Sequence, residues 1–460
     1  PWTKALCVPC YVMAFAKTRN IDNPTITDIF GNVREIKHLD AILFESSFKM
    51  VSVYKNQFGK EGWNKYCEAF RKYGHAYSVC VREHATKVGD MGYQPLQTLV
   101  AADSDDIRRL CDDTVDGMKS YRTIAGAARL LGGEFGKAAM LYPELLTERY
   151  SMATLKKTYA SRRNKLAGGR VPNAGRNLFI APDLIAVMEG LLGLPINGVL
   201  KRGEVYVPCM GASKLDLVRY PHLDNAHCVR RNVRHATRFL KGNTAYLSIN
   251  DSLCVQVQAD FDGDHMLVID NPIIVDLAER TQEKLGNVPL LYDADKAKKK
   301  VLTSADVFRA IHAVTSGAPI GLFANALTKI WAFADFVAQP YLSDSIAVLT
   351  RDANTKIDAA KHSTGGQSDD NTDSAAEWKK TPFPRFLAYA KNPEDPESWV
   401  NAQRCGVELS DGVCDTWCTT VLDTVPTADT YKVDADLGSF DWRMLVKPEN
   451  IHMKNIIGFV

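Results

Sequence analysis

The chain has 460 residues, 46% hydrophobic and 24% charged, an ordinary globular composition with apolar surface enough for two or three domains. Its formal net charge of +2 removes any whole-chain argument for a nucleic-acid partner, so such a site has to come from local clustering. No run of 18 apolar residues and no charged-then-apolar leader occurs, so no membrane partner is expected and a soluble intracellular protein is the default.

The first residue is Pro1 rather than methionine, which reads as a trimmed chain. Eleven cysteines are scattered along it. Cys7-Val-Pro-Cys10 is a lone C-x-x-C with no matching second pair, so free thiols in a reducing compartment are expected, and no zinc.

Residues 1–150 read as mostly helical. The stretches 56–79 and 105–132 carry apolar residues at three- and four-residue spacing. From Arg163 to about Asp270, β-rich runs such as 203–207 and 253–257 alternate with Gly, Pro and Asn, a pattern that suits a small β-barrel with long loops. Helices return after Asp270. Thr303 or Ser304 is a candidate N-cap, Gly317 a candidate stop, and 320–337 a strongly apolar helix whose Phe323, Trp331, Phe333 and Phe336 read as core. Residues 362–377 read as an exposed polar loop. The expected architecture is α+β: a mainly helical region over 1–155, a barrel over 156–275, and a helical and irregular region over 276–460.

The most informative stretch is Gln258-Ala-Asp-Phe-Asp-Gly-Asp-His265, which sets Asp260, Asp262 and Asp264 at alternate positions. Three carboxylates so close repel one another and call for a cation. An EF-hand loop needs glycine at its sixth position and glutamate at its twelfth; counted from Asp260, Gly263 is fourth and the twelfth is Asn271, so calcium is excluded. In an extended strand alternate residues stand roughly 7 Å apart, too far to share one ion. Gly263 permits a tight curl that aims the oxygens together. A hard divalent ion of the Mg²⁺ type, held at about 2.1 Å by oxygen, is then the natural occupant.

Two basic stretches accompany the acidic one. Residues 162–176 interleave Arg162, Arg163, Lys165, Arg170 and Arg176 with glycines, a composition suited to close approach to phosphates. Residues 228–241 gather Arg230, Arg231, Arg234, Arg238 and Lys241, read equally as a nucleic-acid contact or a solvated helical face. The charge run 293–302 reads as plain surface. Gly136-Lys137 lacks the spacing and the hydroxyl residue of a P-loop.

Ala259-Asp260-Phe261-Asp262-Gly263-Asp264 resembles the catalytic signature of the largest, β′-type, subunit of multi-subunit DNA-dependent RNA polymerases. Asn164, Leu166, Gly168, Arg170, Val171, Gly175 and Arg176 match the family's segment leading into its catalytic barrel, and Arg219, Pro221 and Leu223 match its Arg-x-Pro-x-Leu segment. Two positions depart: Gln258 stands where the family has asparagine, and Pro172 where it has aspartate. Outside residues 160–270 the likeness shifts. Residues 317–337 and 354–366, the latter with Lys356 and Lys361, look more like compact single-chain polymerases of the double-psi barrel class, and 38–55, with Lys49, faintly resembles the end of their first barrel.

The resemblance implies a double-psi β-barrel and RNA synthesis by nucleotidyl transfer, carried out by a divergent, shortened β′-like subunit of a phage enzyme in the host-cell cytoplasm or packaged in the virion. Asp260, Asp262 and Asp264 would hold a catalytic Mg²⁺, with a second ion arriving on the NTP. Arg219 and Gln258 would position the nucleotide; Arg163, Lys165, Arg170 and Arg176 would contact the DNA template or the RNA transcript. β-like and other subunits would be required for activity. A single-chain, RNA-templated polymerase and a non-catalytic scaffold are the alternatives.

Overall fold

The computed structural model describes residues 2–72, 88–234, 238–285, 303–306, 308, 312, 320–334, 342–362 and 373–445. It divides into two compact units, one formed by Pro1–Ala101 with Asn173–Lys380 and the other by Ala102–Pro172 with Thr381–Val460.

The first unit is built on a barrel. Four short strands precede it: β1 (Trp2–Thr3) pairs with β4 (Phe48–Lys49), and β2 (Thr25–Thr27) with β3 (Val33–Glu35). The main sheet comprises β5 (Val88–Met91), β6 (Val171–Pro182), β7 (Glu204–Tyr206), β8 (Lys214–Val218), β9 (Cys228–Asn232), β10 (Thr244–Leu247) and β11 (His265–Ile269). Its order is β10-β7-β9-β8-β11-β6-β5, and a further pairing of β6 with β10 closes six of the seven strands into a ring. The pairs β6–β10 and β7–β9 are parallel, the others in the ring antiparallel.

The 12-residue strand β6 makes the closure, because Gly175–Phe179 pair with β11 while Phe179–Pro182 pair with β10. Leu178, Ile180, Val205, Leu215, Leu217, Ala245, Met266 and Val268 fill the interior. Gly175 is required where β6 crosses β11: a Cβ there would lie 2.1 Å from the carbonyl oxygen of Val268 and 2.8 Å from the Cα of Ile269. Both are backbone atoms, so neither can rotate away. Gly175→Ala is expected to cost about 3 kcal/mol as an overpacking change, read as a lowered denaturant midpoint.

One strand expectation is corrected. Leu253–Gln256 is a helical turn, and the reason is its burial period: Leu253 and Val257 are buried four residues apart while Val255 faces solvent. Asp251 accepts the N–H of Leu253 and starts the turn. The basic stretch after Cys228 is likewise not a helical face, since Cys228–Asn232 is strand β9 in the barrel wall.

Elsewhere in this unit the helix Ile320–Phe333 buries Phe323, Leu327, Ile330 and Trp331 as core. Thr303, not Ser304, is the N-cap of the helical turn at 304–306: its hydroxyl accepts from Asp306 N–H while the Asp306 carboxylate accepts from Thr303 N–H. Phe336, Gly317, the charge run 293–302, residues 363–372 and the side chains of Lys356 and Lys361 lie outside the described residues, whereas Asp373–Ala376, expected in an exposed loop, is a helical turn that buries Ala375.

The second unit is helical. Ser104–Ser120 begins with a full capping box between Asp103 and Asp106, and Arg149–Ala167 and Val413–Thr424 pack beside each other. Trp417 is fully buried, its indole N–H on the carbonyl of Leu166. Strands β12 (Phe383–Pro384) and β13 (Val407–Glu408) form its one described strand pair.

Candidate active site

The acidic loop occupies the passage from the Leu253–Gln256 turn into β11. Two residues take positive φ there, Gln258 at 52° and Gly263 at 125°, so the chain reverses tightly around Asp260–Asp262. At Gly263 it is the backbone angle and not crowding that calls for glycine, since a Cβ there would only touch Lys4 Cε at 3.9 Å.

Arg219 reaches the loop through strand register. Val218 is paired with Leu267 across β8 and β11, so the residue after β8 arrives beside the residues before β11. Its Nε and Nη2 donate to Oδ2 of Asp264 at 3.2 and 3.1 Å, and Nη1 donates to the carbonyl of Val257 at 3.2 Å. The backbone N–H of Asp260 also donates to that Asp264 oxygen.

Two lysines complete the cluster. Lys4 donates to Oδ1 of Asp262 at 2.7 Å and stands 4.0 Å from Oδ1 of Asp264; Lys49, on β4, lies 2.8 Å from Oδ2 of Asp262. Partial burial works to raise the Asp262 pKa, but the hydrogen bonds and charges of Lys4 and Lys49 outweigh it and hold the carboxyl below its ordinary value. The site thus brings Asp262 and Asp264 together with Arg219 and two lysines, while Asp260 enters it through its backbone N–H. Lys4 carries no local signal in the sequence, because its partner is 258 positions away. Lys49 is visible there only through the faint likeness of 38–55.

The donor chemistry suits a hard cation: carboxylates alone, on a curled loop, with the Lys4 ammonium already shared between Asp262 and Asp264. In this arrangement Asp260 is turned to solvent, and among the described residues no three His, Cys, Asp or Glu side chains close on a common point.

Arg176 lies on β6 opposite Val268 of β11. Arg163, Lys165 and Arg170 belong to the second unit. Arg163 donates from Nε to the carbonyl of Val425 and from Nη2 to that of Leu422, satisfying the end of the helix Val413–Thr424. Arg230 is committed to Asp251 by a two-pronged ion pair at 2.6 and 3.1 Å, and Arg231 is bonded to Glu204. Both are therefore parts of the barrel wall.

A cleft of about 880 Å³ opens onto Asp260, Asp262 and Lys49. Its other walls are largely apolar, with Leu6, Val8, Leu43, Phe44 and Leu184 among them.

No protein-family model matches the chain. It is 27% identical, over 480 aligned positions, to "DNA-directed RNA polymerase YonO" of Bacillus phage SPbeta. The likeness is to an RNA polymerase. The alignment covers 99% of this chain and 53% of that relative, so the chain spans about half the length of the curated polymerase it matches. This match and the closed six-stranded barrel fit a divergent RNA polymerase catalytic region. Among the described residues no helix is long and apolar enough to cross a membrane.

Proposed function

We propose that this chain carries the catalytic centre of a DNA-directed RNA polymerase, adding NTPs to an RNA 3′-hydroxyl by nucleotidyl transfer. The observation that carries the reading is the convergence of Arg219, Lys4 and Lys49 on the Asp260–Asp264 loop at the mouth of a closed barrel. Asp260, Asp262 and Asp264 would hold Mg²⁺. Bound there, with a second ion delivered by the triphosphate, it would supply Lewis-acid chemistry that acidifies the 3′-hydroxyl and stabilises the in-line transition state.

The chain's own residues have simpler tasks. Arg219, anchored on Asp264 and the Val257 carbonyl, presents its remaining N–H groups toward the incoming ribose, with Gln258 beside it. Lys4 and Lys49 supply positive charge for phosphate oxygens. Arg176 and Arg170 are assigned to nucleic-acid phosphates, which Arg binds as a planar fork. DNA, RNA and NTPs are accordingly the proposed partners, and the host-cell cytoplasm the proposed location.

One observation favours a single-chain polymerase over a split β′-like subunit. The two lysines that face the aspartates, Lys4 and Lys49, both come from this same chain. Exposed Ile29, Phe30, Val33 and Phe44 in the same unit offer a surface for the polypeptide that completes the enzyme, whether a further segment or a β-like subunit.

Extension of a primed RNA on DNA and RNA templates tests the reading. The complete assembly is expected to elongate on DNA in Mg²⁺, and the residues 1–460 alone to be inactive. Elongation on RNA templates only would replace the DNA-directed assignment, and elongation by the isolated chain would remove the need for a completing polypeptide.

A further inference from the structure

The segment carrying Arg219 is held from behind by a buried polar relay that the acidic site itself does not use. Thr98 comes directly after the helix Tyr93–Gln97 and donates its hydroxyl proton toward the carbonyl of Pro95 at 2.8 Å. The same oxygen lies 3.0 Å from Nε2 of His222 and 3.1 Å from Nε2 of His227. His227 sets its Nδ1 2.6 Å from Oδ2 of Asp216, whose Oδ1 accepts the N–H of Cys228. Thr98, Asp216, His222 and His227 all have zero exposure.

These four residues bracket Arg219. Asp216 lies on β8 three positions before it, and His222 three positions after it. Burial, reinforced by the neighbouring His227, drives the pKa of His222 well down, so its ring is neutral. Its Nδ1 has no hydrogen-bond partner, which leaves the Thr98 hydroxyl as the bond that fixes the ring. Other bonds hold the segment too: Trp331 donates to the carbonyl of Leu223 at 3.2 Å, Gly92 N–H reaches the Tyr220 hydroxyl at 3.3 Å, Gln282 donates to the carbonyl of His227, and Nε2 of His227 also lies 3.0 Å from the carbonyl of Pro95, but none of these reaches the His222 ring.

We infer that Thr98 is a positioning residue for nucleotide binding: through His222, whose ring has no other hydrogen bond, it holds the 219–227 loop so that the Arg219 guanidinium stays seated on Asp264. This rests on the proposed nucleotidyl-transfer function, in which Arg219 faces the incoming nucleotide. Removing the hydroxyl leaves His222 without a hydrogen bond in a dry setting, so the loop is expected to relax and Arg219 to lose its fixed direction.

The test uses the complete polymerase assembly. Thr98→Val, which keeps the shape and removes the hydroxyl, is expected to raise the NTP KM about tenfold with kcat changed less than about threefold, while Thr98→Ser stays within about twofold of wild type. In an Arg219→Lys background Thr98→Val is expected to add less than about twofold, because both act through one group. A mere packing defect would add its full effect again, and would overturn the inference, as would an unchanged KM in Thr98→Val alone. Should Thr98→Val not fold, the same comparison runs on His222→Gln, expected near wild type, against His222→Leu, expected to show the raised KM; equal behaviour of the two overturns it. A wild-type assembly that makes no RNA on any template overturns the underlying reading, and that is seen before any variant is compared.

Discussion

Asp262→Asn is expected to lower RNA synthesis by about 10³-fold or more while leaving the fold intact, since the reading makes this carboxylate the centre of the transition-state charge stabilisation. Asp262 is paired with both Lys4 and Lys49, yet those lysine side chains are 46% and 29% exposed, so the lost ion pairs are worth under about 1 kcal/mol of stability. Activity and stability should therefore separate cleanly. The check is NTP incorporation measured beside a thermal melt of the same preparation. A variant that keeps wild-type synthesis would identify the barrel as a scaffold without chemistry. Cleavage of the chain near residue 262 by iron substituted for magnesium would locate the ion independently of turnover.

Asp183→Ala is expected to be the most damaging single change to the barrel, costing about 4 kcal/mol. Asp183 comes just after β6, is fully buried, and gathers three backbone N–H groups: Ile185 on Oδ1, and Val199 and Leu200 on Oδ2 at 2.5 and 2.9 Å. Its own N–H is bonded to the carbonyl of Leu247 at the end of β10. One carboxylate thus ties the end of the closing strand, the start of the helix Leu184–Leu191, and the turn after Gly198. Truncation strands three backbone donors, those of Ile185 and Leu200 in buried positions and that of Val199 in a partly buried one. Asp183→Asn retains a single acceptor and is expected to lose about half as much. Denaturant midpoints for the two variants, with the wild-type slope retained, check the order.

How much of the site is legible in the amino-acid sequence depends on the range over which each signal acts. The acidic loop can be read because carboxylates at alternate positions are a local anomaly, and Gly263 announces the curl. Arg219 is legible only through its order and spacing relative to other motifs; no property of an isolated Arg-Tyr-Pro marks it. Lys4 and the Thr98 relay are invisible, because each depends on a contact that folding alone creates, Thr98 with residues more than 120 positions distant. Arg163 and Arg230 show the converse limit. Composition reports a charge but not its neighbour, and the first is spent on helix-end carbonyls and the second on Asp251. The run 253–257 is β-like in residue type, and only the four-residue burial interval distinguishes it as a turn of helix.

A ring of strands has no end at which a misalignment can be absorbed. Because β6 bonds to both β11 and β10, one extra residue in β8 or β11 would have to be accommodated around the entire circumference. It would also carry Arg219 to the opposite surface from Asp264. Length changes in this chain should accordingly be tolerated between strands and forbidden within them, and a guanidinium and a carboxylate 45 positions apart keep their separation as a matter of closure.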